Sequence, residues 1–307
     1  MATSGSARHA PRPEDGEPFI PGDAVADVHA HSTRSDGVLE PAELVRQAYE
    51  AGVRLFALAD HDNLAGYREL VAPGAAPLPA DLALVPAVEI NAITRGLGLE
   101  LAEGELHVLG IGVDPGDATF EAALAAQHGA RRARFFATVD LLRSVGKPID
   151  AQVAELELDG DDALGRPTVA RALMKAGFAE SVEDAFRRLL SHGKPGYVPR
   201  TGLGPVEAIH AIRAAGGLAS IAHFWEAPNR ISLLRDLIGE GLNGLESHHR
   251  SFDEETRAKV GETARALGLV ETGGTDYHGD LGPYAEAHGG LVMPDALVAR
   301  LRAALGR

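Results

Sequence analysis

The chain has 307 residues, no cysteine and a formal net charge of -15 at pH 7, a length that admits one large barrel or two ordinary domains around a sizeable core. Without cysteine, disulfides, thiolate nucleophiles and Cys-type zinc sites are excluded, so any metal must rest on His, Asp and Glu. The negative charge argues against long nucleic acid as a partner, because phosphate attraction comes from clustered Lys and Arg, unless bound divalent cations reverse the local field.

Residues 1–24 are rich in Pro, Gly and charge and read as a flexible N-terminal tail, with no apolar stretch of the kind a secretory signal needs. No apolar run approaches the roughly 20 residues of a membrane span, so no membrane is expected and the cytoplasm is the default location. Strand-like runs follow at 25–29, 53–59, 82–88 and 106–113, with a helix at 41–51 that has Pro41 near its start and Gly52 just past its end. From 115 to 200 only helical patterns occur, at 118–145, 168–176 and 182–191, stopped by Gly146 and Gly177. Strands resume at 217–222, 244–247 and 269–272, and helices at 205–215, 232–240, 254–267 and 294–305 lie between or after them. About seven βα units predict an α/β fold with a parallel sheet closed into a barrel or near-barrel. The barrel domain is expected over 25–114 and 201–307, with a helical insertion, or cap, over 115–200. That insertion follows the strand beside His107, so it is expected close to the rim where barrels carry their chemistry.

Chemistry concentrates at the strand ends. Val28-His29-Ala30-His31 places two imidazoles at i and i+2, on one face of an extended chain, where they can share an ion. With 13 histidines in the chain such a pair arises by chance about half the time, so alone it is weak. It is followed by Ser35-Asp36-Gly37, and the next strand ends in Asp60-His61-Asp62. Glu89 follows Val85-Pro86-Ala87-Val88, His107 sits beside its strand, His223 follows Ala222, and Thr275-Asp276-Tyr277-His278 follows the last strand. The strand at 244–247 offers Glu246, His248 and His249 instead. A single buried histidine is usually a satisfied core residue, and Asp60-His61-Asp62 alone reads equally well as a helix cap. Six imidazoles and three carboxylates on one rim are different, because they cannot be desolvated together without cations to pair with them.

The order H-x-H, S-D-G, D-H-D, E, H, A-H and G-G-T-D-x-H resembles the PHP family, named for polymerase and histidinol phosphatase, over about residues 25–278. The resemblance implies a distorted (β/α)7 barrel and a site for two or three divalent ions. His29, His31, Glu89 and Asp276 would hold one ion, Glu89 would bridge to a second held by His107 and His223, and Asp36, His61 and His278 would hold a third. Mixed imidazole and carboxylate shells suit Mn2+, Zn2+ or Fe2+. The stretches Gly165-Arg166-Pro167-Thr168-Val169-Ala170-Arg171-Ala172-Leu173 and Gly193-Lys194-Pro195-Gly196-Tyr197-Val198-Pro199 resemble one subgroup of the family, the nucleoside monophosphate and 3′,5′-bisphosphate phosphatases related to short-RNA 5′–3′ exonucleases. Thr168 stands where that subgroup usually has histidine, and Phe224 where it has proline.

The implied activity is metal-dependent hydrolysis of phosphate monoesters of nucleotides, or of short 5′-phosphorylated oligonucleotides, with a hydroxide shared by two ions as nucleophile. Arg166 is the candidate for a phosphate contact, against a plain surface charge at a helix start. Tyr197 is a candidate for base stacking or for packing of the insertion, and Lys194 is similarly balanced. Arg134, with Arg131 and Arg132, reads first as a solvated helix face and second as a substrate contact. Asp60, Asp62 and His249 are candidates for proton transfer or for support of the metal ligands. Serine-hydrolase, P-loop, dinucleotide-binding and zincin motifs are all absent from the sequence. Competing readings are a histidinol-phosphate-type small-molecule phosphatase, a C–N hydrolase on a similar metal barrel, and a non-catalytic metal-binding module.

Overall fold

The computed structural model describes residues 24–94, 104–156, 164–279 and 282–306. The expected tail therefore lies outside the described residues except for Ala24, which is buried and accepts a hydrogen bond from His288 at 2.7 Å. Seven strands, β1 (Ala26–Ala30), β2 (Leu55–Leu58), β3 (Ala83–Ile93), β4 (Glu105–Ile111), β5 (Leu218–Ile221), β6 (Gly244–His249) and β7 (Val270–Gly274), form one sheet in sequence order. A parallel bridge between Ala30 and Tyr277, and the bond from His31 N to Tyr277 O at 2.9 Å, draw the two edges together, so the sheet is a nearly closed barrel.

Helices α1 (Pro41–Glu50) and α2 (Ala65–Val71) follow the first two strands. After β4 come α3 (Ala118–Ser144), α4 (Asp150–Ala154), α5 (Arg166–Lys175), α6 (Val182–Ala185) and a π-turn at Phe186–Leu190, with no strand among the described residues of this stretch. The chain then runs through α7 (Pro205–Ala214), α8 (Ile231–Gly239) and α9 (Glu254–Ala266), and ends in α10 (Tyr284–Gly289) and α11 (Asp295–Ala304). Starts are set by local chemistry: proline occupies the first turn of α1, α5 and α7, and Asp117 caps α3 by accepting from Thr119 N and Phe120 N.

One strand departs from the expected parallel arrangement. β4 pairs antiparallel with both β3 and β5, because the chain returns from β3 without a crossover that would carry it back to the other rim. Its first residues, not its last, therefore meet the rim formed by the C-terminal ends of the other strands, and this places His107 there. The insertion accordingly leaves β4 at the opposite rim, where Ile111 pairs with Leu218, so following the strand of His107 does not by itself bring it close to the ligand rim. It reaches that rim because α3 is long: 27 residues, about 40 Å at 1.5 Å per residue. Phe120 and Leu124, in the first half of α3, pack in the cluster of Ile90, Val108, Ile212 and Ile221. Phe135, Val139 and Leu142, in the second half, pack instead with Val169, Leu173 and Leu189. One helix thus belongs to two hydrophobic cores.

Candidate metal centre

The rim collects all nine ligand candidates. His29 and His31 come from the end of β1, Asp36 and His61 from the loops after β1 and β2, Glu89 from β3, His107 from β4, His223 from the loop after β5, and Asp276 and His278 from the loop after β7. They form three groups whose donor atoms lie within 4.8 Å of one another: His29, His31, Glu89 and Asp276; Glu89, His107 and His223; and His31, Asp36, His61 and His278. In the first group, Nε2 of His31 stands 3.2 Å from Asp276 Oδ1 and 3.3 Å from Glu89 Oε2, and Nε2 of His29 stands 3.3 Å from Asp276 Oδ1. In the second, Glu89 Oε1 is 2.9 Å from His107 Nδ1 and 3.3 Å from His223 Nε2. In the third, Asp36 lies 3.1 Å from His278 Nε2 and 3.6 Å from His61 Nε2. Glu89 is shared by two groups and His31 by two, so the groups are one continuous centre.

The backbone is forced into this arrangement. Among the described residues three non-glycine residues have positive φ, Asp62 (56°), His223 (35°) and Asp276 (48°), and all three stand on this rim. Such conformations cost on the order of 1 kcal/mol or more each and persist where surrounding bonds over-determine them. Here Asp62 N donates to Glu89 O at 3.1 Å, His223 N to Glu246 Oε2 at 2.6 Å, and Asp276 N to His29 O at 2.6 Å. Gly274 permits the last of these approaches, since a Cβ there would stand 2.3 Å from the Cβ of His29. Below it, buried Asp27 accepts from His29 N, from both the backbone and hydroxyl of Thr275, and from Tyr284 OH, tying β1 to the loop after β7.

The chemistry of the donor set fits divalent cations. Nε2 of His29, of His31 and of His249 are buried without a hydrogen-bond partner, although each faces carboxylate oxygens. Burial opposes a charged imidazole at His31, yet bonds and charge from Asp276 and Glu89 raise it to about 10; at His107, burial is likewise outweighed by Glu89 and Glu105, again to about 10. Burial also opposes ionisation of Glu89 and Asp276, but the surrounding imidazoles hold both well below the usual carboxylate range. A site that draws protons this strongly is built for positive charge, and imidazole nitrogens and carboxylate oxygens are the ligands that borderline divalent ions take.

The remaining candidates separate. Asp60 accepts from Ser32 N, Ser32 Oγ and Ser35 Oγ, all within 2.8 Å, and so braces the loop that carries His31 and Asp36. Asp62 pairs with Arg131 through Nε at 3.0 Å and through Nη2. His249 lies inside the centre, with Nε2 3.4 Å from Asp276 Oδ2 and Nδ1 2.7 Å from Ser251 Oγ. Arg134 and Arg166 line a cleft beside the metal centre together with Arg131 and Arg200. Burial and the charges of Arg200 and Arg166 lower Arg134 to about 10, which marks crowded cations with too few anions. Lys194 is exposed and does not line this cleft, while Tyr197 is half-buried with its ring 5.1 Å from that of His192.

Three residues were not assigned from sequence. Arg200 donates to Glu105 at 2.8 Å, and Glu105 also meets Arg166 at 3.4 Å and His107 Nε2 at 3.7 Å. Glu105 precedes His107 by two positions on one strand, and that period-2 relation was a readable signal. Arg200 ends the stretch Gly193–Arg200 with no periodicity to mark it. Glu246 was noted as a strand-end acid, but its partners, His29 Nδ1 at 3.0 Å and His223 N, are far away in sequence.

No protein-family profile matches the chain. A 5′-3′ exoribonuclease of Haemophilus influenzae is 33% identical over 260 residues, covering 82% of this chain and 89% of that protein. A 3′,5′-nucleoside bisphosphate phosphatase of Chromobacterium violaceum is 29% identical over 260 residues, 82% of this chain and 86% of its own length. Among solved structures, a chain from Bifidobacterium adolescentis described as a metal-dependent phosphoesterase superposes with a TM-score of 0.74 at 30% identity, covering 94% of this chain and all of that one.

Proposed function

Because the chain belongs to the PHP family of metal-dependent phosphoesterases, we propose that it removes or releases phosphate from nucleotides carrying more than one phosphate, nucleoside 3′,5′-bisphosphates or short 5′-phosphorylated oligonucleotides. The observation that carries this reading is the cleft of Arg131, Arg134, Arg166 and Arg200 beside the metal centre. A simple monoester would fill the centre and leave four guanidinium groups with two carboxylates between them, Asp62 on Arg131 and Glu105 on Arg166 and Arg200. A second phosphate, one nucleotide away, fits their number and charge, and planar guanidinium forks suit phosphate oxygens. The nucleotide specificity of the two relatives supports the same class of substrate.

His29, His31, Asp36, His61, Glu89, His107, His223, Asp276 and His278 would hold two or three divalent ions, of which Mn2+, Zn2+ and Fe2+ suit the donor set. Such ions, when bound, polarise the phosphoryl oxygens and make a water acidic enough to attack at neutral pH. The chain's own residues do the rest. Glu89, shared by two groups, sets the spacing between them, and Asp276, held by the bond from its own N to His29 O, closes the first group. Asp62 is engaged with Arg131 and Asp60 with two serines, so neither is placed to carry a proton. His249 is the better placed group: buried, one nitrogen held by Ser251 and the other aimed at Asp276, it would hold a proton at Nε2 beside the reacting phosphate. The helices α3 to α6 and the π-turn would act as a cap that selects substrate, with the barrel over 25–114 and 201–307 doing the chemistry. The test is a substrate panel with Mn2+ present: AMP, a nucleoside 3′,5′-bisphosphate, histidinol phosphate, a short 5′-phosphorylated RNA and p-nitrophenyl phosphate. The bisphosphate or RNA should have the highest kcat/KM; a preference for histidinol phosphate would replace this reading.

A further inference from the structure

Counted with the loop that follows it, every strand but β6 gives a residue to the three ligand groups, yet β6 puts a fully buried carboxylate among them. Glu246 has no solvent exposure. Its Oε1 lies 3.0 Å from Nδ1 of His29, and its Oε2 accepts from the backbone N of His223 at 2.6 Å. His29 belongs to the group with His31, Glu89 and Asp276; His223 belongs to the group with Glu89 and His107. Each oxygen thus holds a ligand of a different group.

The two bonds do different things. A carboxylate can only accept, so Nδ1 of His29 must carry the proton and Nε2, which faces Glu89 and Asp276, is turned toward the metal centre. The second bond pins His223 at the residue whose φ of 35° is rarely adopted by a side-chain-bearing residue, and so fixes where its imidazole projects. We propose that Glu246 is a positioning residue that aligns His29 and His223 together, so that the two ligand groups take up metal as a coupled pair. This rests on the metal-centre reading above. Glutamine at 246 fits the space but breaks the symmetry: with one oxygen it can accept from His29 or from His223, and its NH2 then faces the other donor.

The experiment loads the metal-free full chain with Mn2+ and follows uptake by calorimetry for the wild type, Glu246→Gln and Glu246→Asp. Loss of such support typically weakens metal binding 10- to 100-fold, so the Mn2+ concentration for half-loading should rise about 10- to 100-fold in Glu246→Gln, with uptake resolving into separate steps. Substrate KM at saturating Mn2+ should stay within about twofold, because Glu246 does not face the arginine cleft. A second arm needs no variant to fold: in Zn2+-loaded wild type with 15N-labelled histidine, His29 should show a protected proton on Nδ1. A purely structural role would lower the melting temperature of Glu246→Gln while leaving half-loading unchanged, and that outcome overturns the proposal, as does a His29 protonated at Nε2 in the Zn2+ form. If the wild type takes up no Mn2+, the metal-centre reading itself fails, and this inference with it.

Discussion

Glu105 holds Arg200 by an ion pair of 2.8 Å, and its carboxylate also faces His107, so the arginine cleft and the metal centre meet at one side chain. Arg166, on the same carboxylate at 3.4 Å, is the second cation of this junction. A phosphate in the cleft gains charge-assisted bonds worth roughly 1.5–3 kcal/mol per guanidinium. Arg166→Ala and Arg200→Gln should therefore each lower kcat/KM for a bisphosphate or 5′-phosphorylated oligonucleotide by about 10- to 100-fold while sparing p-nitrophenyl phosphate. Steady-state kinetics on both substrates separates the cases: equal losses on the two would mean a structural role, and no loss on either would remove that arginine from the site.

Metal removal should abolish turnover, because the rim offers nine cation ligands and the chain has no cysteine to serve as an alternative nucleophile. Treatment with chelator followed by dialysis, then addition of Mn2+ or Zn2+, should eliminate and restore activity. Undiminished hydrolysis by demonstrably metal-free protein would sink the assignment.

Glu89→Gln and Asp276→Asn change charge with little change of shape at carboxylates that each face several imidazoles. Both should reduce kcat by about 100- to 1000-fold, the scale on which loss of a main electrostatic group acts, with far-UV circular dichroism unchanged. A near wild-type rate in either variant would show the ligand map to be wrong.

The stability of the metal-free protein should depend on pH in a specific direction. His31 and His107 are raised from 6.5 to about 10, so the stability they add is fully present below pH 6.5 and is lost as pH rises through about 10. Glu105, where burial is outweighed by His107 and Arg200, is lowered from 4.5 to about 2; its contribution is present above pH 4.5 and is lost as pH falls toward 2. The metal-free melting temperature should therefore be highest between about pH 4.5 and 6.5 and decline toward pH 10. Metal displaces those imidazole protons, so Mn2+ should bind more tightly as pH rises through the same interval and the loaded protein should keep its melting temperature there. A flat metal-free melting curve from pH 6.5 to 10 would contradict the reading.

Trp225, the only tryptophan in the chain, is 62% exposed and stands two residues after His223, with its N bonded to His223 O at 3.0 Å. Its fluorescence should report on the site from the rim side. Metal loading and a base-bearing phosphate should each change its emission, the base by quenching, whereas ribose 5-phosphate should not quench it. Identical responses to the two phosphates would place the base away from this loop.

Much of this is legible in the sequence, and the reasons are local. His29, His31, His61, Glu89, Asp276 and His278 follow or end apolar strands, and a strand that stops abruptly in acid and imidazole is a pattern within a few residues. The helices of 118–145 and 205–215 were equally legible, from periodicity, proline starts and glycine stops. What was not legible depends on pairing between distant segments. The reversal of β4 follows from how the chain returns from β3, which no periodicity in Glu105–Ile111 encodes. The inward turn of Arg131 and Arg134 rests on partners far away in sequence, Asp62 and the carbonyl of Val198; on a helical wheel they look like an ordinary charged face. α2, α4 and α10, of seven, five and six residues, are too short for an apolar stripe to stand out.

The long helix α3 has one glycine within it, Gly129, which is exposed and has open space around its Cβ position. It falls between Gln127, which bonds Asn91 O and Leu203 N on the barrel side, and Phe135, which packs in the other core. Glycine weakens a helix interior by about 0.5–1 kcal/mol relative to alanine, so the rod is softest where it passes from one core to the other. The insertion cannot be exchanged as a cassette: whatever replaces residues beyond Gly129 inherits a lever whose fulcrum is the barrel wall, and a graft that changes the helix's phase by a single residue would rotate Arg131 and Arg134 by about 100°, away from Asp62 and from the cleft they line.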